Sequence, residues 1–301
     1  NEFELVIGTG GIHGCCKEGV YESDKNKIIV DADVAGMYPS IAKVNGYYPQ
    51  HLGKQFCEVY EKDIILPRHD AKGKIKDMSL PEEERKRYKT LSDGFKLAGN
   101  SVYGKSNSEY SFLCDPVYTL KTTLTGQLSL CMLIEMLSLD IPNIKILQVN
   151  TDGITVIIDR TDREKYLRIC KKWEEITKLE LEYVDYNKMV IRDVNNYLAV
   201  DKDGEVKYKG VFKPHDKMKK EGEWYKAFNQ GIVPIAISEY FLKNIPVEET
   251  IKNCTDIFLF TKNFNCTHGW TCETFYRDAN EIEYDIKQEQ KTNTRPLKPE
   301  C

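Results

Sequence analysis

The sequence lacks several features that define other classes of protein. It has no run of about eighteen apolar residues, and its first residues, NEFEL, contain neither a basic segment nor an apolar signal core. We therefore expect no membrane association and no secretion. The chain does not begin with methionine, which indicates a fragment or a processed product. Its net charge of -4 shows no overall excess of positive charge, the usual mark of a nucleic-acid-binding protein.

A disulfide framework is also missing. The 10 cysteines are scattered along the chain, which favours a reducing compartment and hence a cytoplasmic protein. Cys266, His268 and Cys272 are residue types that ligate zinc. No fourth ligand follows at the spacing of a zinc finger, so we favour ordinary side chains there.

What the sequence does contain is enough apolar material for a large core. With 301 residues and 41% hydrophobic composition, it is long enough for one large domain or two to three small ones. Its charges are segregated: residues 207–220 are rich in lysine, and residues 273–289 are rich in acids. A solvated face is the simplest interpretation of each segment, and a binding surface for a polyanion is the alternative for the basic one.

The order of local patterns predicts an α+β fold with antiparallel pairing. Runs of β-branched and alternating residues predict strands at 28–34, 144–149, 154–158, 190–200 and 205–212. Hairpin turns are expected at Thr151-Asp152 and at Asp203-Gly204. Helical patterns begin at Pro81 and at Val247, and they cover 124–139, 164–179, 225–229 and 234–242. The polar, glycine-containing segment 67–81 predicts a loop.

The helix that begins at Pro81 carries a polar stripe. At about 100° per residue, five side chains fall within an arc of roughly 60°: Arg85, Lys89, Lys96, Asn100 and Tyr103. Cations beside an amide and an aromatic ring suit a polyphosphate nucleotide, whereas an amphipathic surface helix is the structural alternative.

Away from this polar stripe, the same helix is predicted to have an apolar face that packs on the core. Its residues are Tyr88, Leu91, Phe95, Ala98 and Val102. Gly94 and Gly99 interrupt the helix, and each costs about 1 kcal/mol relative to alanine. We interpret them as positions of close approach by a ligand or another backbone.

Two carboxylates occupy the ends of predicted strands. Asp33 ends the strand 28–34, and Asp152 lies at the tip of the later hairpin. If the strands are neighbours, the pair could hold two Mg²⁺ ions of the kind that promote phosphoryl transfer. Asp152-Gly153 is equally typical of an ordinary hairpin turn, so local sequence leaves both interpretations open.

Three motifs resemble those of the family B DNA polymerases. DVAGMYPSI at 33–41 resembles motif A, usually DxxSLYPSI; KLAGNSVYG at 96–104 matches motif B, KxxxNSxYG; and NTDG at 150–153 resembles motif C, usually DTDS. Three weaker similarities occur in the expected order: GTGGIHG at 8–14, TLTGQ at 123–127 and NNY at 195–197. The resemblance covers residues 1 to about 215 and is of the phage type.

The resemblance implies a right-hand architecture with an antiparallel β-sheet palm, helical fingers and a mostly helical thumb. Residues 1–60 and 105–211 would form the palm, 61–104 the fingers, and 212–301 the thumb and C-terminal tail. It implies a DNA-directed DNA polymerase that adds dNTP to the 3'-hydroxyl of primer-template DNA. A phage enzyme of this kind would act in the host cytoplasm.

The resemblance also implies roles for individual residues. Asp33, Asp152 and the Val34 carbonyl would bind two Mg²⁺ ions, and Tyr38 would exclude a ribose 2'-hydroxyl. Further nucleotide contacts are implied for the remaining motif residues. Lys96 and Asn100 would face the triphosphate with Arg85 or Lys89, Tyr103 and Gly104 would border the nascent base pair, and Tyr197 with the following lysines would hold the DNA backbone.

The sequence departs from the family pattern at five positions. They are Gly36, Gln127, Asn150, Gly153 and Asn195, which stand where serine, arginine, aspartate, serine and lysine are usual. Asp31 could supply part of the charge missing at Asn150, although an incidental strand-end acid is the simpler interpretation.

The departures leave two alternatives open: a catalytically inactive DNA-binding remnant, and another palm-type polymerase that copies or makes RNA. No exonuclease motif precedes residue 33. We therefore expect proofreading to be absent from this chain, with a separate exonuclease segment or replication proteins as possible partners.

Overall fold

The computed structural model describes residues 3–214 and 230–263, together with three short strands in the C-terminal region. Its strands are β1 (Val6–Ile7), β2 (Ile12–Cys15), β3 (Gly19–Glu22), β4 (Lys27–Val34), β5 (Lys145–Asn150), β6 (Gly153–Asp159), β7 (Leu181–Asp193), β8 (Asn196–Asp201), β9 (Val206–Tyr208), β10 (Lys262–Asn263), β11 (Thr274–Arg277), β12 (Glu283–Ile286) and β13 (Leu297–Lys298). Its helices are α1 (Met37–Asn45), α2 (Gln55–Tyr60), α3 (Leu66–Lys76), α4 (Glu82–Ser106), α5 (Pro116–Asp140), α6 (Arg163–Thr177), α7 (Ile232–Lys243) and α8 (Val247–Asn253).

The predicted fold class is confirmed at the level of a mixed α+β protein with a curled antiparallel sheet. The strand order in that sheet is β1-β2-β5-β6-β4-β7-β8-β9, and β3 also pairs with β7. β4 lies between β6 and β7 and pairs antiparallel with both. Its Val30, Ala32 and Val34 side chains belong to the core.

The chain divides into two compact units. The first comprises Asn1–Asn195 and Ala199–Lys207, and the second comprises Asn196–Leu198 and Tyr208–Cys301. In the second unit, α7 and α8 are joined by a hydrogen bond from Thr250 Oγ1 to Glu239 Oε2 of 2.8 Å. The boundaries of palm, fingers and thumb stay predictions.

The core of the first unit lies between the sheet and two helices. Leu130, Leu133 and Leu137 of α5 are fully buried against it, as are Tyr166 and Trp173 of α6. Among the described helices, α5 alone is long and apolar enough to cross a membrane by length and composition. Its leucine row is nevertheless part of the protein core.

Most local predictions near the core are confirmed. The strand at 28–34, the hairpin around Thr151-Asp152 and the helices from Pro81 and at 164–179 occur within a few residues of their expected positions. α5 begins eight residues earlier than expected, at Pro116. Asp115 caps it by accepting a hydrogen bond from the Tyr118 N–H, and proline suits the first turn because no N–H is needed there.

The loop predicted at 67–81 is wrong, because residues 66–76 form α3. Pro67 stands in the first turn, Ala71 is buried, and an ion pair joins Asp70 to Lys74 one turn later. These local features support a helix that also packs along α4. Glycine and charge in this segment therefore mark a helix surface rather than a loop.

The strand predicted at 190–200 is also wrong, because it is divided between β7 and β8. Asp193 accepts a hydrogen bond from the Asn195 N–H of 2.9 Å, which forms a turn at this point. The turn at Asp203-Gly204 is confirmed, with Gly204 at a φ of 86°. The predicted helix at 225–229 and the zinc candidates Cys266, His268 and Cys272 lie outside the described residues.

The buried face of α4 differs from the predicted one. Ser92, Gly99, Val102 and Ser106 are buried, whereas Leu91 and Ala98 are exposed. The small side chains allow α4 to lie close to its neighbours, and Tyr60 donates a hydrogen bond of 2.8 Å to the Gly99 carbonyl. The polar stripe consequently borders the buried face instead of pointing away from it.

Candidate functional site

Strand register brings the ends of three strands together. Asp33 of β4 pairs with Gly153 of β6 on one side and with Glu182 of β7 on the other. The Val34 N–H donates a hydrogen bond of 2.7 Å to the Asp152 carbonyl. The sheet therefore places both motif carboxylates, Asp33 and Asp152, at the same end of these central strands.

The turn that carries Asp152 has an unusual backbone. Thr151 adopts a φ of 56°, a conformation that β-branched residues rarely accept. β2 holds this turn in place: the Thr151 N–H donates to the Ile12 carbonyl at 2.9 Å, and a hydrogen bond of 3.0 Å joins Thr151 Oγ1 to His13 Nε2. Strain held by surrounding contacts is typical of functional sites.

A cleft of about 340 Å³ opens at these strand ends. Six of the residues expected from the sequence line it: Asp33, Val34, Tyr38, Lys96, Asn100 and Asp152. Arg68, Lys72, Ser92, Asp93 and Glu182 are further lining residues that were not expected. The cleft therefore unites residues from all three motifs.

The cleft has an acidic side on the strands and a mostly basic side on the helices, where Asp93 of α4 is an acidic exception. We call Asp33, Asp152 and Glu182 the strand wall, and Arg68, Lys72, Lys96 and Asn100 the helix wall. A salt bridge of 2.8 Å between Lys72 Nζ and Glu182 Oε1 connects the two. This ion pair holds the pKa of Glu182 below its usual range, with Lys76 and Arg68 contributing.

Negative charge is concentrated on the strand wall. Burial first, and then the neighbouring Asp31, Asp152 and Glu182 carboxylates, raise the pKa of Asp33 to about 7 against the opposing effect of Lys207. Within the described ranges, no group of three or more histidine, cysteine, aspartate or glutamate side chains has the geometry of a metal site. The site expected from the motifs has two carboxylates and a carbonyl.

Asp31 lies on the same side of β4 as Asp33 and is buried. Thr155 Oγ1 donates to its Oδ1 at 2.6 Å, and the Tyr186 hydroxyl donates to its Oδ2 at 3.1 Å. Lys207 Nζ lies 3.6 Å from Asp31 Oδ2 and 3.9 Å from Asp33 Oδ2. Lys207, the first residue of the basic stretch, therefore serves as a counter-ion for these carboxylates.

The cations of α3 were missed by sequence reasoning. Arg68, Lys72 and Lys76 recur at every fourth residue, which is a helical signal, but the segment had been interpreted as a loop. Gly36 makes room for Arg68. Its φ of 54° suits glycine, and a Cβ there would lie 3.0 Å from Arg68 Nη1.

Tyr38 is held on two sides. Its ring stacks on Tyr103, with centroids 3.8 Å apart and planes 21° from parallel, and its hydroxyl donates to the Gly10 carbonyl. Burial, together with Tyr103, raises the pKa of Tyr38 above its usual range, so the hydroxyl stays neutral and can donate. Tyr103 thus reaches the site through Tyr38 and is not itself a lining residue of the cleft.

The other expected nucleotide contacts lie elsewhere. Arg85, Lys89 and Gly104 are not among the residues that line the cleft. Arg85 Nη1 lies 3.3 Å from Met78 Sδ, and Lys89 and Gly104 are exposed on α4. Of the five stripe residues, Lys96 and Asn100 line the cleft.

Two departures from the family pattern have internal partners. Asn150 Nδ2 donates a hydrogen bond of 3.0 Å to the Val194 carbonyl, which ties the motif C turn to the turn between β7 and β8. Gln127 is 2% exposed, and its amide nitrogen donates to two carbonyls of the 8–11 loop. Tyr197 is buried as well, so its ring does not present a surface to DNA.

Comparison with known proteins adds no relative. No protein-family model matches the sequence, and a search of curated proteins finds no significant match. The geometry of the cleft and the three motifs are therefore the observations that bear on function.

Proposed function

We propose that this protein is a DNA-directed DNA polymerase of the family B type, with the right-hand architecture of that family. The observation that carries the proposal is that Asp33, Asp152, Lys96 and Asn100 line one cleft. Residues distant in sequence meet there, and their carboxylates and cations are the groups that would position and stabilise a transferred phosphoryl group.

The strand wall has a donor set that suits Mg²⁺. Asp33, Asp152 and the Val34 carbonyl offer oxygen atoms. Burial and the repulsion between neighbouring carboxylates raise the pKa of Asp33, and a bound cation would offset both effects. Two Mg²⁺ ions held there would supply Lewis-acid activation of the primer hydroxyl and of the leaving pyrophosphate.

The helix wall would hold the incoming nucleotide. Lys96 and Arg68 offer positive charge to the triphosphate oxygens, and Asn100 offers an amide donor. Lys72, which is paired with Glu182, would add further positive charge beside the triphosphate. The Tyr38 ring, fixed against Tyr103, would exclude a 2'-hydroxyl and so select dNTP over NTP.

Primer extension tests the proposal. We expect the intact chain to extend a labelled primer on a DNA template with dNTP and Mg²⁺, and to stop when a chelator is added. Asp33→Asn and Asp152→Asn should each lower the rate by about a thousandfold or more, because several kcal/mol of charge stabilisation would be lost. Both variants should still bind duplex DNA in a fluorescence anisotropy assay.

Asp159→Asn is the matched control, since Asp159 lies at the opposite end of β6 from Gly153. It should extend the primer normally. Substantial turnover by Asp33→Asn or Asp152→Asn would show that the metal ligands are assigned wrongly. Salt-sensitive duplex binding without any extension would instead identify an inactive DNA-binding remnant, and equal use of ribonucleotides or RNA templates would favour another palm-type polymerase.

A further inference from the structure

The loop of residues 8–11 is exposed on its outer side and held from within by a buried glutamine. Gln127 Nε2 donates hydrogen bonds to the Gly8 carbonyl at 2.6 Å and to the Gly11 carbonyl at 2.9 Å. Burying this amide is favourable only while its polar atoms are satisfied. Both N–H groups are used inside the protein, so the side chain is occupied in shaping the loop.

The same loop holds Tyr38. The Gly10 carbonyl, between the two carbonyls that Gln127 binds, accepts the hydrogen bond from the Tyr38 hydroxyl. The loop is closed on itself by a hydrogen bond of 2.9 Å from the Gly8 N–H to the Gly11 carbonyl. Gln127 and Tyr38 therefore act on one small, closed unit of backbone.

The ring of Tyr38 has a second support, which also depends on a residue of α5. Tyr103 stacks on the Tyr38 ring, and its hydroxyl forms a hydrogen bond of 2.7 Å with Thr123 Oγ1. Thr123 is buried on α5, four residues before Gln127, so the two side chains lie on one face of the helix one turn apart. One turn of α5 thus supports both the face and the hydroxyl of Tyr38.

We propose that Gln127 and Thr123 are positioning residues for sugar selection: they fix the Tyr38 ring through the 8–11 loop and through Tyr103. This inference rests on the proposed polymerase function. A side chain that excludes one hydroxyl group must be held within a fraction of an ångström, since a ring that can shift admits the larger sugar. Selectivity in this chain then depends on residues that never contact the nucleotide.

Single-nucleotide incorporation measures the effect. For wild type, Gln127→Met and Tyr38→Phe, kcat/KM is determined with a dNTP and with the matching ribonucleotide. Gln127→Met should lower the preference for dNTP by about threefold to tenfold, the factor that corresponds to the loss of one net hydrogen bond, while dNTP incorporation changes little. Tyr38→Phe, which alters the selecting residue itself, should lower the preference by a similar factor. The double variant should lose no more than the larger single loss, because both changes release the same loop.

Gln148→Met is the matched control, since Gln148 is a buried glutamine of β5 whose Oε1 has no hydrogen-bond partner among the described residues. It should keep the wild-type preference. Thr123→Val provides a second route, with Thr122→Val as its control because Thr122 Oγ1 donates to the Tyr118 carbonyl one turn earlier. Thr123→Val should lower the preference and Thr122→Val should not.

Hydrogen exchange gives a readout independent of catalysis. The Gly8 amide should exchange faster in Gln127→Met and in Tyr38→Phe than in wild type or Gln148→Met. An unchanged sugar preference in Gln127→Met and Thr123→Val, in a chain that extends primers and whose Tyr38→Ala variant does accept ribonucleotides, would overturn the inference alone. A wild-type chain that extends no primer would overturn the proposed function, and the inference with it.

Discussion

The two walls of the cleft are built in different ways. The strand wall stands on β4, β6 and β7, where backbone pairing fixes each carboxylate relative to the next. The helix wall stands on α3 and α4, where side chains repeat every fourth residue and reach across open space. Strand register thus controls position to within a fraction of an ångström, whereas the helices supply charge through long and adaptable side chains.

This difference suits the two walls to different roles, metal binding for the strand wall and triphosphate binding for the helix wall. A carboxylate that must hold a metal ion needs exact placement, while a triphosphate can be held by several cations whose contributions overlap. We therefore expect the strand wall to be sensitive to small steric changes and the helix wall to be sensitive mainly to loss of charge. The predictions below test this contrast.

Among the changes that compare the two walls, the largest effect is expected at Gly153, which lies beside Asp33 of the strand wall. A Cβ at this position would lie 1.8 Å from Asp33 Oδ1, so Gly153→Ala should displace the Asp33 carboxylate. A shift of about 1 Å in a reacting group can cost about a hundredfold in rate, and single-turnover extension should show a loss of that size. Gly153→Ser, which adds a Cβ at the same place, should be impaired as well.

Gly94 is the matched control on the helix side. No described atom lies within 4 Å of a Cβ built at Gly94, so Gly94→Ala should stabilise α4 by about 0.5–1 kcal/mol and leave extension intact. Equal rates for Gly153→Ala and Gly94→Ala would contradict the proposed difference between the walls.

On the helix wall, Lys96→Ala should lower kcat/KM for dNTP by about tenfold to a hundredfold, because one charge-assisted contact to the triphosphate is lost. The effect should be partly recovered in Lys96→Arg. Lys86→Ala is the control, since Lys86 lies near the start of the same helix and pairs with Glu82 at 2.7 Å. Steady-state kinetics with all three variants would show whether charge or exact geometry matters here.

A smaller effect should appear in the pH dependence of stability. The pKa of Asp33 is raised from its ordinary value of 3.8 to about 7, so the folded state binds more protons than the unfolded state between these values. Stability should therefore fall as pH rises from about 4 to 7. Asp33→Asn removes this loss, and in the presence of a chelator its Tm should exceed that of wild type at pH 8.

At pH 4 to 5 the two proteins should melt at more similar temperatures. Adding Mg²⁺ at pH 8 should raise the Tm of wild type and of Asp159→Asn, and it should leave Asp33→Asn nearly unchanged. A Tm difference between wild type and Asp33→Asn that is constant from pH 4 to 8 would contradict the raised pKa.

The smallest effect is expected at Asn150. Because its amide donates to the Val194 carbonyl, Asn150→Asp would place a carboxylate oxygen against that carbonyl and should cost about 1 kcal/mol in the free energy of unfolding. Denaturant titration measures this change. Asn195→Asp adds the same charge to the exposed turn and should cost less. A large gain in extension by Asn150→Asp would instead mean that the asparagine weakens the metal site.

Local sequence patterns predicted much of the strand wall. The β-branched run before Asp33 and the two apolar runs around Thr151-Asp152 have the period and turn chemistry of strands and a hairpin, and both occur. These signals depend only on neighbours within a few residues, so they can be recognised without knowledge of the fold. The left-handed Thr151 was not predictable, since it depends on Ile12 and His13 of a distant strand.

The helix wall was predicted only in part. The Lys96 and Asn100 stripe followed from helical periodicity, whereas Arg68 and Lys72 were missed because glycine and proline made α3 resemble a loop. The packing of α3 along α4 outweighs that local tendency. Arg85 and Lys89 belong to the stripe but lie too far along the helix to line the cleft. Periodicity predicts which face of a helix a residue occupies, but it does not predict which part of that face meets the cleft.

By itself, the sequence determined the α+β class, the principal strands and helices and the spacing of the motif residues, because these follow from local periodicity and turn chemistry. Tertiary structure alone decided that Lys207 neutralises Asp31 and Asp33, that Gln127 holds the 8–11 loop, and that Tyr38 is fixed from two sides. Each of these contacts joins residues far apart in the chain. Their energies arise from burial and hydrogen bonding between elements, which no local pattern encodes.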